Sequence, residues 1–317
     1  MTFLLVASGC GGSSDIATPA TTVAPAATQA PATTAATSTV PGFFGDEPVF
    51  RAIDRYLPKG QSCDSRIVDR GTPEDDEYGW EVGVDGYEKM ATQILCDIQS
   101  EEFWFNHELR IQYPLNTGSP RGGQAEWINS LIRRQVATFI DDYFTRARGR
   151  YGDFVRRTNE QPRAPGATGH LFITGVVHID TGSLYSVYLA TEQNHPYANT
   201  TASPVAGINL DFATGERFSL PDLFAPGSDW VASIADVVLR EDEESIYPEM
   251  GSYMVPEFLS TIDFTMGPDS LVLHAQPYSI WFPGWCCGSS PKHFEIRYED
   301  LVDVLDPDGP YRHILAL

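Results

Sequence analysis

Histidine is the residue type in this chain best suited to acid–base or metal chemistry, and its spacing indicates what chemistry is available. The sequence contains seven histidines, but none forms an HExxH pattern or a similar ligand pair. His195 lies close to Glu192 and offers a candidate acid–base pair, while His274 and His293 flank a cysteine-containing loop and are expected to approach it. A histidine beside a proline at the end of a strand is more often a turn residue or a hydrogen-bonding group.

Patterns for other catalytic chemistries are missing from the sequence. It contains no GxSxG nucleophile motif and no phosphate-binding loop. The adjacent pair Cys286 and Cys287 is too closely spaced to resemble a zinc knuckle. We therefore expect no metal, no cofactor and no catalytic residue. The alternative is a cell-envelope hydrolase or deacetylase accessory that uses His195 and nearby carboxylates.

An aromatic loop contains the two adjacent cysteines, within the stretch PYSIWFPGWCCGSSPKH from Pro277 to His293. Its candidate binding residues are Tyr278, Trp281, Phe282 and Trp285. Aromatic anchors of this kind dominate interface hot spots, and a cross-linked loop loses less entropy when it binds. The same residues would equally well cap a hydrophobic core, because tryptophan is highly buried on average. Both interpretations stay open.

The N-terminus resembles the lipobox of bacterial lipoproteins, in which small residues precede a lipidated cysteine. Here the cysteine is Cys10, preceded by an alanine, a serine and a glycine. A secretory signal also has a basic start and an apolar core of about 7 to 15 residues. Residues 1–9 contain no Lys or Arg and only a short core. We interpret them as a truncated signal whose true start lies upstream, with a chance apolar terminus as the alternative.

Residues 10–42 are predicted to be a lipidated cysteine followed by a disordered tether. The segment after Cys10 is almost entirely Ala, Thr, Pro and Ser, with Asp15 as its only charged residue. Such a composition buries too little apolar surface to offset its ordering entropy, and its prolines extend it. We expect the chain to lie on the outer face of the cytoplasmic membrane, in the cell envelope, and to contact the membrane through its lipid anchor only.

An oxidising location predicts disulfide bonds among the other four cysteines, Cys63, Cys96, Cys286 and Cys287. A bond between adjacent cysteines is strained, because their Cα atoms lie about 3.8 Å apart and relaxed disulfides use roughly 4.4 to 6.8 Å. We therefore favour two bridges that join the aromatic loop to Cys63 and Cys96. The alternative pairs Cys63 with Cys96 and leaves a vicinal pair in the loop.

The formal net charge of the chain is -22 at pH 7. Such a surface repels nucleic acid and anionic lipid headgroups and attracts a basic partner. We therefore expect no nucleic-acid partner. Acidity that only keeps an extracellular protein soluble is the alternative explanation.

Residues 43–317 predict an α+β fold, an antiparallel sheet packed with one long and several shorter helices, because strands and helices are segregated along the chain. Helical spacing of apolar residues predicts a long helix over 122–157. Its core residues are Ile128, Ile132, Val136, Phe139 and Tyr143. Shorter helices are predicted over YEKMATQIL, near 229–244 and 255–260, and over YEDLVDVLD.

Alternating or β-rich runs predict the strands of this sheet. These runs are GWEVGV, FWFNHELRIQYP, HLFITGVVHID, SLYSVYLATEQ, SPVAGINLDF, SLVLHAQPYSI and HFEIRY. The turns DTGS and ATGE lie between the three central runs, which makes antiparallel neighbours of them.

The order of these elements from about Phe105 to Asp306 resembles the extracytoplasmic region of RsiV-type proteins, a domain of unknown function shared with the N-terminal region of the peptidoglycan deacetylase PdaC. The matching phrases are RIQYP, EWINSLI, YSVYLATEQNHPYANT, GINLDFATGERFSLPDLF, DSLVLHAQPYSI and FEIRYEDLVDVL. The resemblance implies a smaller subdomain over 43–165, which includes the long helix, and a C-terminal domain over 166–317.

Departures from the RsiV pattern limit what the resemblance implies. Only the His195–Pro196 core of a longer family phrase is kept, followed here by Tyr197, and the family's apolar loop is lengthened and carries the cysteines. The chain contains neither the sigma-binding segment of an anti-sigma factor nor a deacetylase domain. What the resemblance does imply is binding of a basic protein such as lysozyme or of a peptidoglycan component, with His195 and Tyr197 joining the aromatic loop as candidate binding residues.

Overall fold

A computed structural model describes most of the chain after the predicted tether. The described residues are 47–69, 90–100, 105–115, 123–158, 168–195, 203–241, 259, 262–275 and 291–316. The predicted signal, lipidation site and tether, the GWEVGV strand and the aromatic loop lie outside the described residues. The architecture is α+β, as predicted, with two sheets and several helices.

The larger sheet has seven strands in the order in which they occur along the chain. They are β1 (Asp64–Asp69), β2 (Met90–Ser100), β3 (Phe105–Pro114), β4 (Thr168–Asp180), β5 (Leu184–Asn194), β6 (Val205–Asp211) and β7 (Glu216–Arg217). All neighbours are antiparallel except β3 and β4, which pair in parallel. This pair crosses the boundary predicted at residue 165, so both predicted subdomains contribute strands to one sheet. The division into subdomains stays a prediction.

Helix α2 (Gly123–Thr158) explains the parallel pair, because parallel neighbours need a long crossover connection. Its predicted core residues are all buried, which confirms the helical spacing. They pack on one face of the larger sheet, against residues such as Ile94, Leu109 and Leu171. Burial of each large apolar side chain contributes roughly 1.5 to 3 kcal/mol. Helix α1 (Pro48–Asp54) packs against α2, where Tyr56 stacks on Phe144 with ring centroids 4.1 Å apart.

The helix predicted over YEKMATQIL is wrong, because β2 begins at Met90 and continues to Ser100. Residues 94, 96 and 98 are buried and residues 95, 97 and 99 are exposed. This alternation has the period of a strand. Strand β2 continues past the end of the predicted helix, and its β-branched residues Thr92, Ile94 and Ile98 favour the pleated surface of a sheet.

The smaller sheet has three antiparallel strands and its own core. Its strands are β8 (Asp263–Met266), β9 (Ser270–Ala275) and β10 (Lys292–Arg297), in the order β10-β9-β8. Around it lie α3 (Trp230–Glu241), α4 (Tyr298–Leu301) and α5 (Arg312–Leu315). The predicted helix near 229–244 is confirmed as α3, whereas only Leu259 of the helix predicted at 255–260 is described. The helix predicted over YEDLVDVLD is confirmed only in its first turn.

Strand β8 joins the two sheets through a buried polar network. Asn209 donates its side-chain N–H to the carbonyl of Phe264 at 2.8 Å and accepts from the Ser186 hydroxyl at 2.6 Å. The Met266 N–H donates to the same hydroxyl at 2.8 Å. Asn209 and Ser186 are almost completely buried, so these bonds satisfy polar groups that would otherwise be costly. The network fixes β8 against β5 and β6.

The structure joins Cys63 to Cys96, with a Cα–Cα distance of 4.6 Å. The pairing that we favoured, in which both cysteines bond to the aromatic loop, is therefore wrong. The physical reason is strand register: Asp64 lies opposite Leu95 in the antiparallel β1–β2 pair, which places the preceding Cys63 opposite Cys96. Directly opposed residues have Cα atoms about 4.5 to 5.5 Å apart, close to the range for disulfides. Cys286 and Cys287 lie outside the described residues.

Across the described ranges, the structure contains no helix that combines the length and the apolar character needed to cross a membrane.

Candidate functional site

His195 is the one predicted binding residue within the part of the chain that the structure describes. Those that lie outside the described residues are Tyr197, Tyr278, Trp281, Phe282 and Trp285. The His195 ring is buried and stacks on Tyr143 of α2, with centroids 4.8 Å apart and planes 22° apart. Neither ring nitrogen has a hydrogen-bond partner among the described residues. His195 therefore belongs to the core beneath α2.

The pKa of His195 is lowered to about 4, chiefly by burial and then by the charges of Arg146 and Arg150. The ring is therefore neutral at physiological pH. Glu192 lies on the opposite face of β5, where it pairs with His170 Nε2 at 3.2 Å. The structure does not bring His195 and Glu192 together. The predicted acid–base pair is wrong because residues three apart on a strand point to opposite sides.

A second histidine shares the core with His195. His107 on β3 is buried, and its Nδ1 lies 3.0 Å from the hydroxyl of Tyr143. Burial, and to a smaller extent the nearby His195, lowers the pKa of His107 to about 3. Both histidines are neutral parts of the core, and neither presents a proton-accepting nitrogen to solvent.

The face of the larger sheet opposite α2, here called the outer face, carries a row of directly opposed residues on adjacent strands. Leu95, Arg110, Phe172 and Glu192 follow one another from β2 to β5 in register. The Arg110 guanidinium lies 5.2 Å from the centre of the Phe172 ring, and His170 stacks on that ring at 4.6 Å. We call these five residues the Phe172 cluster.

The Phe172 cluster combines chemistry that ligand-binding surfaces use. The side chains of Arg110 and Glu192 are 60% and 58% exposed, and Leu95 is exposed as well. A guanidinium over an aromatic face contributes about 0.5 to 1 kcal/mol at an exposed site. Because the residues stand on paired strands, their positions are rigid. The cluster therefore offers a cation, which also donates through Nε to Glu108 at 2.6 Å, an anion and apolar area at fixed spacing.

Four side chains from both sheets form a continuous hydrogen-bonded chain at the sheet–sheet contact. The Thr265 hydroxyl on β8 lies 2.9 Å from His178 Nδ1 on β4 and 2.9 Å from His274 Nε2 on β9. His274 Nδ1 in turn lies 2.8 Å from His293 Nδ1 on β10. We call these residues the histidine chain. Tyr188 stacks on His274 with centroids 4.2 Å apart.

Local strand geometry positions the histidine chain. The β4–β5 register shifts between Val177 and Ile179, so His178 is the extra residue of a β-bulge. A bulge of this kind re-aims a side chain, here towards β8. His274 and His293 are directly opposed in the β9–β10 pair. The predicted approach of these two histidines to the aromatic loop stays a prediction, since the loop lies outside the described residues.

Full or partial burial lowers the pKa of His178, His274 and His293, the three histidines of the histidine chain. The value for His178 is about 4, lowered further by the charge of His293 and opposed by that of Glu295. The pKa of His274 lies well below its usual value, because of burial and then of His293 and His178. Neutral imidazoles that hydrogen-bond to one another are structural groups at physiological pH.

Among the described residues, no group of three or more His, Cys, Asp or Glu side chains is arranged to hold a metal ion.

Sequence reasoning missed the Phe172 cluster and His178, although one signal for them was present. In HLFITGVVHID, residues 170, 172 and 178 are separated by even numbers and fall on one face of the predicted strand. The partners of this face come from β3, β5 and β8. These pairings are distant in sequence, so the pattern in one strand could not identify them.

Comparison with known proteins shows which solved structures the chain is similar to. No protein-family profile matches it, and no curated protein matches it. A crystal structure of a DUF3298 family member from Bacteroides fragilis has a TM-score of 0.47 and 14% identity, covering 72% of this chain and 97% of that one. A DUF3298 family protein from Pseudomonas aeruginosa PAO1 has a TM-score of 0.42 and 13% identity, covering 71% and 97%. The similar structures are thus DUF3298 family proteins.

Proposed function

We propose that this chain is a lipid-anchored protein of the cell envelope whose RsiV-like domain binds a protein or cell-wall ligand without catalysis. The observation that supports this best is the Phe172 cluster, a set of charged and apolar side chains on paired strands in which Leu95, Arg110 and Glu192 are exposed and His170 and Phe172 are half-buried. The described histidines support it too, because the buried ones are neutral and bonded or stacked within the fold.

The ligand that we propose is a basic protein of the lysozyme type. The chain has a formal net charge of -22, so long-range attraction would raise its association rate with a basic partner. Within the contact, Glu192 of the Phe172 cluster would meet a cation of the partner. Phe172 and Leu95 would supply the desolvated apolar area that a stable contact needs.

The aromatic loop is the second part of the proposed binding surface. It connects β9 to β10, which end and begin at Ala275 and Lys292. Trp281 and Trp285 are the residues whose loss would cost most affinity if the loop displays them. The lipid on Cys10 and the tether over 11–42 would hold the domain away from the outer face of the cytoplasmic membrane.

The test is calorimetric binding of the full chain to a c-type lysozyme at low and at physiological salt. We expect binding that weakens with salt, since the attraction is electrostatic. Replacing both Trp281 and Trp285 by Ala should weaken binding at least tenfold, and Phe172→Ala should weaken it separately. Val302→Ala is the matched control, because Val302 is an apolar residue that is 62% exposed and lies outside the proposed surface.

Two results would contradict the proposal. Absence of binding at either salt would exclude lysozyme, and the same measurement with soluble peptidoglycan fragments would then test the cell-wall alternative. Binding that is equally weakened by Val302→Ala would show that the affinity does not come from the proposed surface.

A further inference from the structure

The histidine chain crosses from the larger sheet to the smaller one, and its last member reaches the surface. His178 belongs to β4, Thr265 and His274 are almost completely buried in the smaller sheet, and His293 on β10 is exposed. Strand β10 is the edge of the smaller sheet and pairs only with β9 within it. Protons from solvent therefore reach the histidine chain first at His293.

Each hydrogen bond of the histidine chain needs one hydrogen, and the donor of the His274–His293 bond determines the donor of the next bond. A neutral imidazole has one N–H, and a threonine hydroxyl has one hydrogen and accepts twice. If His293 donates to His274, then His274 donates to Thr265, and the bond between Thr265 and His178 can run in either direction. If His274 donates to His293, then Thr265 donates to His274 and His178 donates to Thr265. The His274–His293 bond therefore has one donor and one acceptor in every arrangement of the neutral groups.

One added proton fits the histidine chain, because a charged His293 donates through Nδ1 to His274, and His274 then donates through Nε2 to Thr265. Two charged rings in the His274–His293 pair do not fit. Each would direct an Nδ1–H at the other across 2.8 Å, with no acceptor between them. The pair can therefore take up one proton while its hydrogen bond lasts, but a second proton breaks that bond.

The charged groups around the histidine chain do little to stabilise a second proton on the His274–His293 pair. Tyr188 packs against His274 and His293, and burial together with the charge of Asp263 raises the pKa of its hydroxyl, so it stays neutral. The Asp263 carboxylate accepts the N–H of Gly207 at 3.0 Å. Glu295 on β10 accepts from the Ser270 hydroxyl at 2.8 Å, and its charge favours protonation of His178.

We propose that the histidine chain is an acid-sensitive latch that holds β10 and the smaller sheet in place when its histidines are neutral and releases β10 when the His274–His293 pair becomes doubly protonated. The release follows from the number of protons that the closed and the open states can bind. The unfolded or detached segment accepts a proton on each histidine, whereas the closed pair accepts one. Acid therefore favours the open state. The latch needs no ligand, so it is independent of the proposed binding function.

Amide hydrogen exchange of the full chain at pH 7.5 and pH 5.0, corrected for the intrinsic pH dependence of exchange, tests the latch. We expect the protection of β10 amides to fall at least tenfold more than that of β3 amides, whose own fall reports how far acid weakens the core beneath α2. His293→Gln keeps a side chain that both donates and accepts but does not titrate. In this variant β10 should stay protected at pH 5.0.

The matched control is His170→Gln. His170 lies on the same strand as His178 but does not belong to the histidine chain. This variant should show the same acid-dependent loss at β10 as the wild-type protein. Equal protection of wild-type β10 at the two pH values would overturn the proposal. So would an equal loss in the His293→Gln variant.

A measurement on the unaltered protein keeps the test independent of any variant. Ring-nitrogen NMR identifies which nitrogen of each histidine carries hydrogen and follows the titration of each ring. We expect His274 and His293 to share one proton over the range in which the free residues would take up two. Independent titration of both rings near their usual pKa would overturn the latch.

Discussion

Gly207 on β6 lies directly against the backbone carbonyl of Phe264 on β8, with no room between them for a side chain. A Cβ at Gly207 would lie 1.9 Å from that oxygen. The contact involves the same Phe264 carbonyl that accepts from Asn209, and the Gly207 N–H also donates to Asp263. The absence of a side chain at this one position lets β8 approach β6.

Gly207→Ala should therefore destabilise the protein. The new methyl group would force the sheets apart, at a cost of about 3 kcal/mol. The free energy of unfolding from chemical denaturation checks this. Gly149→Ala is the control: Gly149 lies within α2 with nothing near its added Cβ, so alanine should stabilise the helix by about 0.5 to 1 kcal/mol. A neutral result at Gly207 would contradict the observed approach of the strands.

Asp211 should contribute to stability through the C-terminal segment. Its buried carboxylate accepts from Arg312 Nη2 at 2.8 Å, from His313 Nε2 at 3.0 Å and from the Ala213 N–H at 2.8 Å. Asp211→Asn removes the charge that Arg312 faces, and we expect a loss of about 2 kcal/mol. Denaturation midpoints check this, with the exposed Asp303→Asn as control. An equal loss in both variants would show that the effect is not specific to the buried carboxylate.

Acid should weaken the core beneath α2 through His195. Its pKa is about 4 in the folded state, against about 6.5 unfolded, so the unfolded state binds more protons between these values. The stabilisation is complete above pH 6.5 and is lost as the pH falls towards 4. It amounts to about 3 kcal/mol for this residue.

His195→Phe tests that contribution, because phenylalanine keeps a ring against Tyr143 but does not titrate. We expect the variant to lose less stability than the wild-type protein between pH 7.5 and 4.5, measured by urea denaturation. His170→Phe serves as control, since His170 lies on the outer face. Parallel pH profiles for the wild-type protein and His195→Phe would contradict the buried, neutral state of His195.

Gln193 carries a buried amide whose oxygen and nitrogen both have no hydrogen-bond partner among the described residues. Methionine has a similar length and no such groups, so Gln193→Met should raise the free energy of unfolding, by about 1 kcal/mol. Thermal and chemical denaturation check the sign. A fall in stability would show that the amide is satisfied in solution by bound water or by a ligand.

The sequence was sufficient to predict those helices and strands whose residue pattern lies entirely within the element. The spacing of Ile128, Ile132 and Val136 identified α2, alternation identified β3, and the content of Val, Ile, Tyr and Phe identified β4, β5 and β6. Strands β1 and β8 are among those that were not predicted. Both are short, and each is defined mainly by its neighbours: β1 pairs with β2 through the register that includes the disulfide, and β8 rests on β6 at Gly207.

The candidate sites were harder to predict from the sequence, because they combine residues from strands that are distant along the chain. Arg110 and Phe172 meet only because β3 and β4 are parallel, and a helix of 36 residues separates these strands. His178 and Thr265 meet across two sheets. Spacing along the chain does not encode either contact, whereas the face that each residue occupies within its own strand could be predicted.

The bridge between Cys63 and Cys96 determines how the domain would respond to a mechanical pull from its N-terminal side. An edge strand such as β1 would normally unzip from its neighbour one hydrogen bond at a time. Here tension would first separate α1 from α2, and the detachment of the chain would end at Cys63. From there the load would pass covalently into β2, an internal strand held by β1 and β3. Six residues of β1 are thereby shielded from the force, and the sheet would resist stretching as one body.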